Sequence, residues 1–368
     1  MIIAEPTLLL DPHRCRKNLC GMLRRAREAG VTLRPHCKTH QSRIVGHWLR
    51  NEGVDRITVS SLRMAEYFAD DGWEDILVAF PYNPGEADRF SALADRCRLG
   101  VLLDNPEAIA GLTGRAGPPL DYYVDIDAGY GRTGIPAASI DRVEALMASA
   151  KRVPGLAFRG FYCHPGNTYK HEAVKDRQSI LATALGALAQ LKRHFSSERP
   201  TVLVGDTPGC SGARGFPGAD EITPGNFVFY DLFQASLGTC SEDDIAVAMA
   251  CPVVGRYPER GEIVIHGGSV HFSRDSLDVG GQAVYGKLAA ADGAGWRPIQ
   301  EPLYLTALSQ EHGMLRLPRA RLDRVRIGDL VHVLPVHSCL TAAAMGAYRS
   351  TEDEVIDHLA GALARPRM

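Results

Sequence analysis

A regular alternation of strand-like and helix-like segments begins near residue 30 and limits what this chain can fold into. Helical spacing is clearest from Ala173 to Phe195, where four leucines fall on one face. Eight strands joined by helical crossovers over roughly 200 residues are what a (β/α)8 barrel requires. A doubly wound open sheet satisfies the same pattern, because periodicity does not reveal closure. The strand candidates are Val31–Leu33, Arg56–Ser60, Asp75–Phe80, Arg98–Leu103, Leu120–Asp127, Leu156–Cys163, Thr201–Gly205 and Asn226–Asp231.

The alternation stops after about Gly238, and strand-like segments separated by glycine-containing turns take its place. This change predicts a second, mostly β domain. We expect a barrel over residues 15–240 and a β-rich domain formed by residues 1–14 and 241–368, so the fold class is α/β. One short helix is expected from Thr351 to Ala364. The strand candidates of this domain are Thr7–Leu10, Ile245–Val254, Glu262–Ile265, Leu303–Ala307 and Asp329–Leu334.

Composition argues against several classes of protein. The 368 residues carry a formal net charge of −2, which provides no long-range attraction to nucleic acid or to anionic lipid. No apolar run reaches the length of a membrane span, and residues 1–14 lack the pattern of a signal peptide. Nine scattered cysteines without a CxxC pair indicate reduced thiols. We therefore expect a cytoplasmic enzyme.

A lysine follows the first strand candidate, in Arg34-Pro35-His36-Cys37-Lys38-Thr39-His40. There it would lie at the carboxyl end of the strand, the edge where barrel enzymes have their active sites. Burial and the cationic neighbours Arg34 and His36 would lower the pKa of Lys38 and leave a free amine that adds to an aldehyde. A solvated surface lysine is the alternative reading.

Polar loops also follow the fifth and sixth strand candidates. Asp125 to Gly134 contains two aspartates on one side of a strand, three glycines and Arg132, whose charge persists at any working pH. The aspartates could equally cap the next helix. His164, Asn167 and Tyr169 follow the sixth candidate, where they either contact a ligand or shape the turn.

Two later loops have the composition of phosphate-binding sites. Gly205–Ser211 and Thr223–Asn226 are rich in small residues, which leave backbone N–H groups free to meet an oxyanion. Barrel enzymes commonly bind phosphate with the loops after their last strands. Tyr230 could donate to the same phosphate, although a tyrosine there is also typical of a core.

Histidine and cysteine alternate in Pro335-Val336-His337-Ser338-Cys339. In an extended segment His337 and Cys339 would project to the same side, and imidazole with thiolate suits Zn²⁺. By spacing alone a buried thiol beside a hydrogen-bonded histidine is the simpler reading. The segment Ser309-Gln310-Glu311-His312-Gly313 could supply a third ligand or a general acid or base.

Together, the lysine motif, the Asp125–Gly134 loop, Glu311-His312-Gly313 and His337-x-Cys339 resemble the metal-activated, eukaryotic-type D-serine dehydratases. These are fold-type III pyridoxal phosphate (PLP) enzymes, related to alanine racemase and D-threonine aldolase. The resemblance covers nearly the whole chain. It implies an alanine-racemase-like barrel with a β-domain, assembled as a homodimer.

The resemblance also implies roles for individual residues. Lys38 would carry PLP as a Schiff base, and His337 and Cys339 would hold Zn²⁺, or else Mn²⁺ or another divalent ion. His312 is a candidate catalytic acid or base. The remaining candidate cofactor ligands are Arg132 and Tyr169 around the ring, with Thr207, Gly209, Gly225, Asn226 and Tyr230 at the phosphate.

The implied reaction is dehydration of a D-3-hydroxy amino acid to a 2-oxo acid and ammonia. D-serine, D-threonine and D-threo-3-hydroxyaspartate are the candidate substrates. Lys38 would take the Cα proton while the metal acts as a Lewis acid on the β-hydroxyl. An aldolase giving glycine and an aldehyde, a racemase, and a non-catalytic PLP carrier are the alternatives.

Overall fold

The computed structural model describes residues 2–112 and 118–363. The chain forms two compact units: residues 1–19, 39–45 and 226–368 contribute to the first, and residues 20–38 and 46–225 to the second. All nine cysteines are free thiols, as predicted. No helix within the described ranges is long and apolar enough to cross a membrane.

The strands up to residue 222 are β1 (Thr7–Leu10), β2 (Thr32–Leu33), β3 (Ile57–Val59), β4 (Asp75–Pro81), β5 (Arg98–Leu103), β6 (Leu120–Asp127), β7 (Ile135–Pro136), β8 (Leu156–Cys163), β9 (Thr201–Val204) and β10 (Glu221–Ile222). The helices over the same part are α1 (Pro12–Glu28), α2 (Arg43–Asn51), α3 (Leu62–Ala69), α4 (Ala87–Ala94), α5 (Pro106–Ala110), α6 (Ile140–Ala150), α7 (Val174–His194) and α8 (Thr207–Gly212).

After residue 222 the helices are α9 (Leu232–Ser236), α10 (Ser269–Phe272), α11 (Arg319–Leu322), α12 (Ser338–Met345) and α13 (Leu359–Leu363). The strands are β11 (Val247–Tyr257), β12 (Glu262–His266), β13 (Leu277–Val279), β14 (Gln282–Val284), β15 (Gly286–Asp292), β16 (Gly295–Pro298), β17 (Tyr304–Leu308), β18 (His312–Arg316), β19 (Leu330–Pro335), β20 (Tyr348–Ser350) and β21 (Val355–Ile356).

The second unit contains the predicted barrel. Eight parallel strands follow one another in the order β2, β10, β9, β8, β6, β5, β4 and β3. A parallel bridge between His36 and Thr58 joins the two ends of this series. The backbone N–H of Cys37 donates to the Thr58 carbonyl at 2.8 Å at the same place. An open doubly wound sheet is therefore excluded, and the predicted parallel barrel is confirmed.

The eighth strand was predicted in the wrong place. It is Glu221–Ile222, whereas Asn226–Val228 forms a 3₁₀ helix and Asp231 directly precedes α9. The Asp231 side chain accepts from the Gln234 N–H at 2.9 Å, so it is the N-cap of that helix. The segment has the apolar composition of a strand because Phe227, Val228 and Phe229 are fully buried, although Asn226–Val228 is a 3₁₀ helix.

The first unit contains an antiparallel barrel. Strands β12, β18, β17, β15, β19 and β11 pair in that order, and β11 also pairs with β12, which closes the ring. The N-terminal strand β1 joins β11, as predicted from the sequence. The predicted C-terminal helix is wrong over most of its length, since Val355–Ile356 pairs with β20 and the helix begins only at Leu359. Ala364 lies outside the described residues.

A chain of ion pairs ties the amino-terminal ends of the parallel strands together. Arg34 is buried and contacts Glu221 Oε2 at 2.5 Å and Asp75 Oδ1 at 2.8 Å. Arg98 extends the series from Asp75 to Asp121. This edge of a barrel serves stability, because catalysis takes place at the opposite edge.

Replacement of Arg34 by Met should lower the free energy of unfolding by about 3–5 kcal/mol, because it leaves two carboxylates without their shared buried cation. Urea titration of the variant and the wild type measures this difference. Arg319→Met is the control, since Arg319 pairs with Asp323 while 70% of its side chain is exposed; its effect should stay within about 0.5 kcal/mol. Equal losses in both variants would contradict the proposed role of the buried pair.

Candidate active site

Lys38 lies at the carboxyl-terminal edge of the parallel barrel. It follows the His36–Thr58 bridge that joins β2 to β3, and the His36 N–H donates to the Pro224 carbonyl in the loop after β10. The side chain of Lys38 is half-buried. The charge of Lys38 is also one of the influences that lower the pKa of His164.

The expected cationic neighbours of Lys38 are not found. Arg34 is neutralised by Glu221 and Asp75. The Nδ1 atom of His36 accepts from the Lys38 N–H at 3.4 Å, an arrangement that requires an unprotonated Nδ1. Neither side chain therefore supplies the unbalanced positive charge that the sequence suggested.

Aromatic and basic side chains gather around His164. The ring centroids of Tyr130 and Tyr169 lie 5.8 and 6.4 Å from that of His164. The Arg132 guanidinium lies over the Tyr130 ring at 5.4 Å. Of the predicted ring-binding candidates, Arg132 thus lies against Tyr130 and Tyr169 against His164, and their role toward a cofactor remains a prediction.

His164 is held as a neutral imidazole. Burial, followed by the charge of Arg132, lowers the pKa of His164 to about 3. Its Nδ1 donates to the Gly205 carbonyl at 2.7 Å, which fixes the ring between two of the predicted ligand-binding loops. The outer nitrogen can then accept a proton or a hydrogen bond from a bound group.

The two aspartates after β6 have different structural roles. Asp127 Oδ1 accepts from the backbone N–H groups of Gly129, Tyr130 and Gly131 at 2.8–3.0 Å, and so it organises the loop. Asp125 is buried and accepts from Thr133 Oγ1 at 2.7 Å. Burial raises the pKa of Asp125 to about 6.

A buried carboxylate occupies the start of α8, where phosphate binding was predicted. Asp206 accepts from the Gly209 N–H and from Thr168 Oγ1, both at 2.6 Å. Its other oxygen, Oδ2, is buried with no hydrogen-bond partner among the described residues. The Gly209 N–H is therefore already engaged, while Thr207 is the first residue of the helix and is fully buried.

The loop after β10 leads away from the parallel barrel into the first unit. Gly225 is the last residue of the second unit and Asn226 the first of the next segment. The Asn226 amide nitrogen contacts Asp231 Oδ2 at 2.7 Å and Cys339 Sγ at 3.4 Å, so that side chain serves the thiol. Tyr230 has a positive φ of 49° and packs against an apolar cluster of the first unit. Phosphate binding by these residues remains a prediction.

His337 and Cys339 do meet, although in a different local structure from the one predicted. Strand β19 ends at Pro335, His337 is the N-cap residue of α12, and Cys339 lies in its first turn. Burial alone would lower the pKa of His337, but hydrogen bonding to Cys339 and nearby negative charge raise it to about 10. Burial would raise the pKa of the Cys339 thiol, but the hydrogen bond and the charge of His337 lower it below its ordinary value. Each side chain thus favours the charged form of the other.

Three further residues complete this pair, and sequence reasoning missed the role of each. Asp275 is hydrogen-bonded to His337 Nδ1, which leaves Nε2 for the contact with Cys339. Thr39 Oγ1 lies 3.2 Å from Cys339 Sγ. Asp231 accepts from the Ser338 N–H at 2.9 Å, and so it fixes the backbone between the two donors. The pattern Asp231-Leu-Phe-Gln was a usable N-cap signal; nothing local marked Asp275.

This donor set fits a divalent transition ion. The side chains of His337 and Cys339 are hydrogen-bonded to each other. Imidazole and thiolate are both ligand types that bind Zn²⁺. The Asp275–His337 contact is the carboxylate–histidine arrangement that orients metal-bound imidazoles. The predicted catalytic residue His312 lies elsewhere in the same unit, on the exposed face of β18 opposite His266.

The second unit also fits a phosphate-bearing aldehyde cofactor. Lys38 supplies the amine at the strand edge, and Arg132 supplies a cation. A side chain at Gly205 would place its Cβ 2.6 Å from the Thr223 N–H, so the backbones of the two loops approach as closely as glycine permits. The buried Asn167 Oδ1 has no hydrogen-bond partner among the described residues and is available to a bound group.

Residues 10–231 match the family model described as alanine racemase, N-terminal domain. The chain therefore belongs to that family of fold-type III PLP enzymes, which confirms the resemblance seen in the sequence. Residues 246–350 match a second model, described as a putative serine dehydratase domain. The two matches correspond to the parallel barrel and to the β-rich part of the chain.

Similar proteins cover almost the whole chain. D-threo-3-hydroxyaspartate dehydratase of Delftia sp. (strain HT23) is 29% identical over 95% of this chain and 94% of its own length. D-serine dehydratase of Dictyostelium discoideum is 29% identical over 96% and 95%. The solved structure of the Delftia enzyme superposes with a TM-score of 0.88 at 27% identity, covering 97% of each chain. D-threonine aldolase from Filomicrobium marinum shares the fold, with a TM-score of 0.82 at 22% identity over 99% and 100% of the two chains.

The buried carboxylate at α8 gives a testable pH dependence. Burial raises the pKa of Asp206 to about 6, so the folded protein holds this proton more tightly than the unfolded chain does. The contribution of Asp206 to stability is therefore complete below about pH 4 and is lost as the pH rises through about 6. The loss at pH 7 should reach about 3 kcal/mol, at 1.36 kcal/mol for each pKa unit.

Asp206→Asn keeps an oxygen acceptor for Gly209 but does not titrate. Urea unfolding of both proteins without cofactor, from pH 4 to pH 7, should show the wild type losing stability relative to the variant as the pH rises. Parallel pH profiles would show that Asp206 is ionised in the folded protein at all these pH values.

Proposed function

We propose that this protein is a PLP- and divalent-metal-dependent dehydratase that converts a D-3-hydroxy amino acid to a 2-oxo acid and ammonia. One observation carries the proposal. The hydroxyl of Thr39 lies 3.2 Å from Cys339 Sγ, and Thr39 is the residue that follows Lys38 in the chain. The thiol of Cys339 thus contacts the residue that follows, in the sequence, the lysine expected to carry the cofactor.

The similar proteins support the same reaction class. Dehydratases of D-serine and of D-threo-3-hydroxyaspartate align over almost their full length. A solved structure of a D-threo-3-hydroxyaspartate dehydratase with a cysteine-to-alanine mutation, in the metal-free form, is also similar, at 27% identity. Aldolases that act on D-threonine and on 3-hydroxy-D-aspartate are also similar, at 24–27% identity. Zinc as the metal and a homodimer as the assembly belong to the proposal.

The residues of this chain would divide the work between binding and proton transfer. When bound, PLP supplies an electron sink for charge at Cα, and the metal supplies a Lewis acid for the departing hydroxyl. The Lys38 amine anchors the cofactor and accepts the Cα proton of the substrate. His337 and Cys339 bind the metal, and Asp275 holds the imidazole with Nε2 directed at it. The neutral His164 orients the cofactor without adding a competing positive charge.

Product analysis tests the reaction. The purified protein is incubated with PLP, Zn²⁺ and each of D-serine, D-threonine and D-threo-3-hydroxyaspartate, and ammonia, glycine and the substrate enantiomers are assayed separately. A dehydratase releases ammonia and no glycine. Glycine with an aldehyde would identify an aldolase, the opposite enantiomer a racemase, and no turnover with any substrate would contradict the proposal.

Cys339→Ala should lower kcat by at least about 100-fold, because Lewis-acid stabilisation of the leaving oxygen contributes several kcal/mol. The absorbance of the lysine-bound cofactor should be unchanged, since Lys38 is intact. Cys20→Ala, which alters an exposed thiol, is the control and should retain full activity. Activity that survived both the Cys339 substitution and exhaustive chelation would refute the role of the metal.

Asp275→Asn should weaken metal binding by about 10–100-fold, because the carboxylate that orients the ligand imidazole is lost. Competition with a chromophoric chelator measures the affinity directly and needs no turnover. Asp278→Asn is the matched control, since that carboxylate, three residues further along the chain, accepts from the Gly281 N–H in a turn. Equal metal affinities for the two variants would exclude Asp275 as the orienting group.

A further inference from the structure

Two imidazoles and a carboxylate converge outside the His337–Cys339 pair. Among the described residues, His266, His271 and Glu311 form the one group whose potential ligand atoms all lie within 4.8 Å of one another. The Nε2 atoms of His266 and His271 are 3.6 and 3.7 Å from the same oxygen of Glu311. The two rings are close to perpendicular, with centroids 5.6 Å apart.

The backbone that carries these residues is rigid. His266 ends β12, and the Gly267 N–H donates to the Glu311 carbonyl at 2.9 Å. Ser269, the first residue of α10, donates to the Ser309 carbonyl at 2.8 Å. A Cβ on Gly268 would lie 2.2 Å from the Gln310 carbonyl oxygen, so the two segments pack backbone against backbone. The three side chains therefore meet without any rearrangement of the chain.

The charges of the cluster suit a cation. Burial, followed by the charge of His266, lowers the pKa of His271 against the opposing effect of Glu311, and a neutral imidazole is the form that binds metals. Among the ion pairs of the described residues, Glu311 is paired only with the two histidines and with no lysine or arginine. Its negative charge is thus not balanced by a permanent cation.

We propose that His266, His271 and Glu311 form a binding site for a divalent transition ion, separate from His337 and Cys339. Two imidazoles with one carboxylate are a ligand set that Zn²⁺ uses in proteins, with the remaining position open to water or a further ligand. The side chains are partly exposed, so an ion can reach them from solvent.

Binding at this site requires a proton to move. His271 Nδ1 accepts from the Gly268 N–H at 3.1 Å, which in the neutral ring leaves the proton on Nε2. An ion at Nε2 displaces that proton, and the ring keeps its neutrality only by protonating Nδ1 and giving up the hydrogen bond from Gly268. Affinity should therefore fall as the pH decreases and the imidazoles become protonated.

Titration with Co²⁺ distinguishes this site from the thiolate site, because only a Cys-ligated ion gives a thiolate-to-cobalt charge-transfer band. The full-length double variant His337→Ala/Cys339→Ala should bind one Co²⁺ without that band. Adding His271→Ala should weaken this binding by at least about 100-fold, more than the loss of an orienting residue does. Adding His194→Ala instead should leave it unchanged, because His194 lies outside the cluster, where it pairs with Glu144 and packs against Phe195.

Glu311→Gln in the same background conserves the size of the side chain and should also weaken Co²⁺ binding, and it decides the matter if the His271 variant does not fold. The proposal is overturned if the double variant binds no Co²⁺, or if neither His271→Ala nor Glu311→Gln changes the affinity. These readouts do not depend on turnover, so they succeed or fail independently of the dehydratase activity.

Discussion

The arrangement of His337 and Cys339 depends on one buried carboxylate, that of Asp231, which is 1% exposed. Its Oδ1 caps the start of α9 by accepting from the Gln234 N–H. Its Oδ2 accepts from Asn226 Nδ2 at 2.7 Å, from the Ser338 N–H at 2.9 Å and from Ser338 Oγ at 3.1 Å. A carboxylate withdrawn from water is tolerated only when its oxygens are satisfied in this way. Because Ser338 separates His337 from Cys339, the same contacts fix the spacing of the two donors.

The fold followed largely from local periodicity. Seven of the eight parallel strands lie where the sequence pattern predicts them. A parallel strand that is buried on both faces produces a continuous apolar run, which is visible in the sequence. The eighth was misplaced because Glu221–Ile222 is only two residues long, too short to produce a run. The sequence pattern places the eighth strand in the next segment, before Asp231, because that buried segment is longer and more apolar.

The residues that carry the chemistry of the candidate site can be predicted from the sequence, but the residues that hold them in position cannot. Lys38, His337 and Cys339 stand out by residue type and by position next to strand ends. Asp275, in contrast, reaches His337 from 62 positions away, and Asp231 reaches Ser338 from 107 positions away. Contacts of that range depend on tertiary packing and leave no periodic signal. The neutralisation of Arg34 was hidden for the same reason, since Glu221 is distant in the sequence.

The pairing of β1 has a consequence for how the polypeptide matures. Leu9 pairs with Ala248 of β11 on one side and with Arg349 of β20 on the other. Because both partners lie far along the chain from β1, its pairing is completed only after the ribosome, which adds about 5–20 residues per second, has made them. Until then the N–H and C=O groups along β1 lack their strand partners, and an unpaired strand of this kind is a template for pairing with another chain.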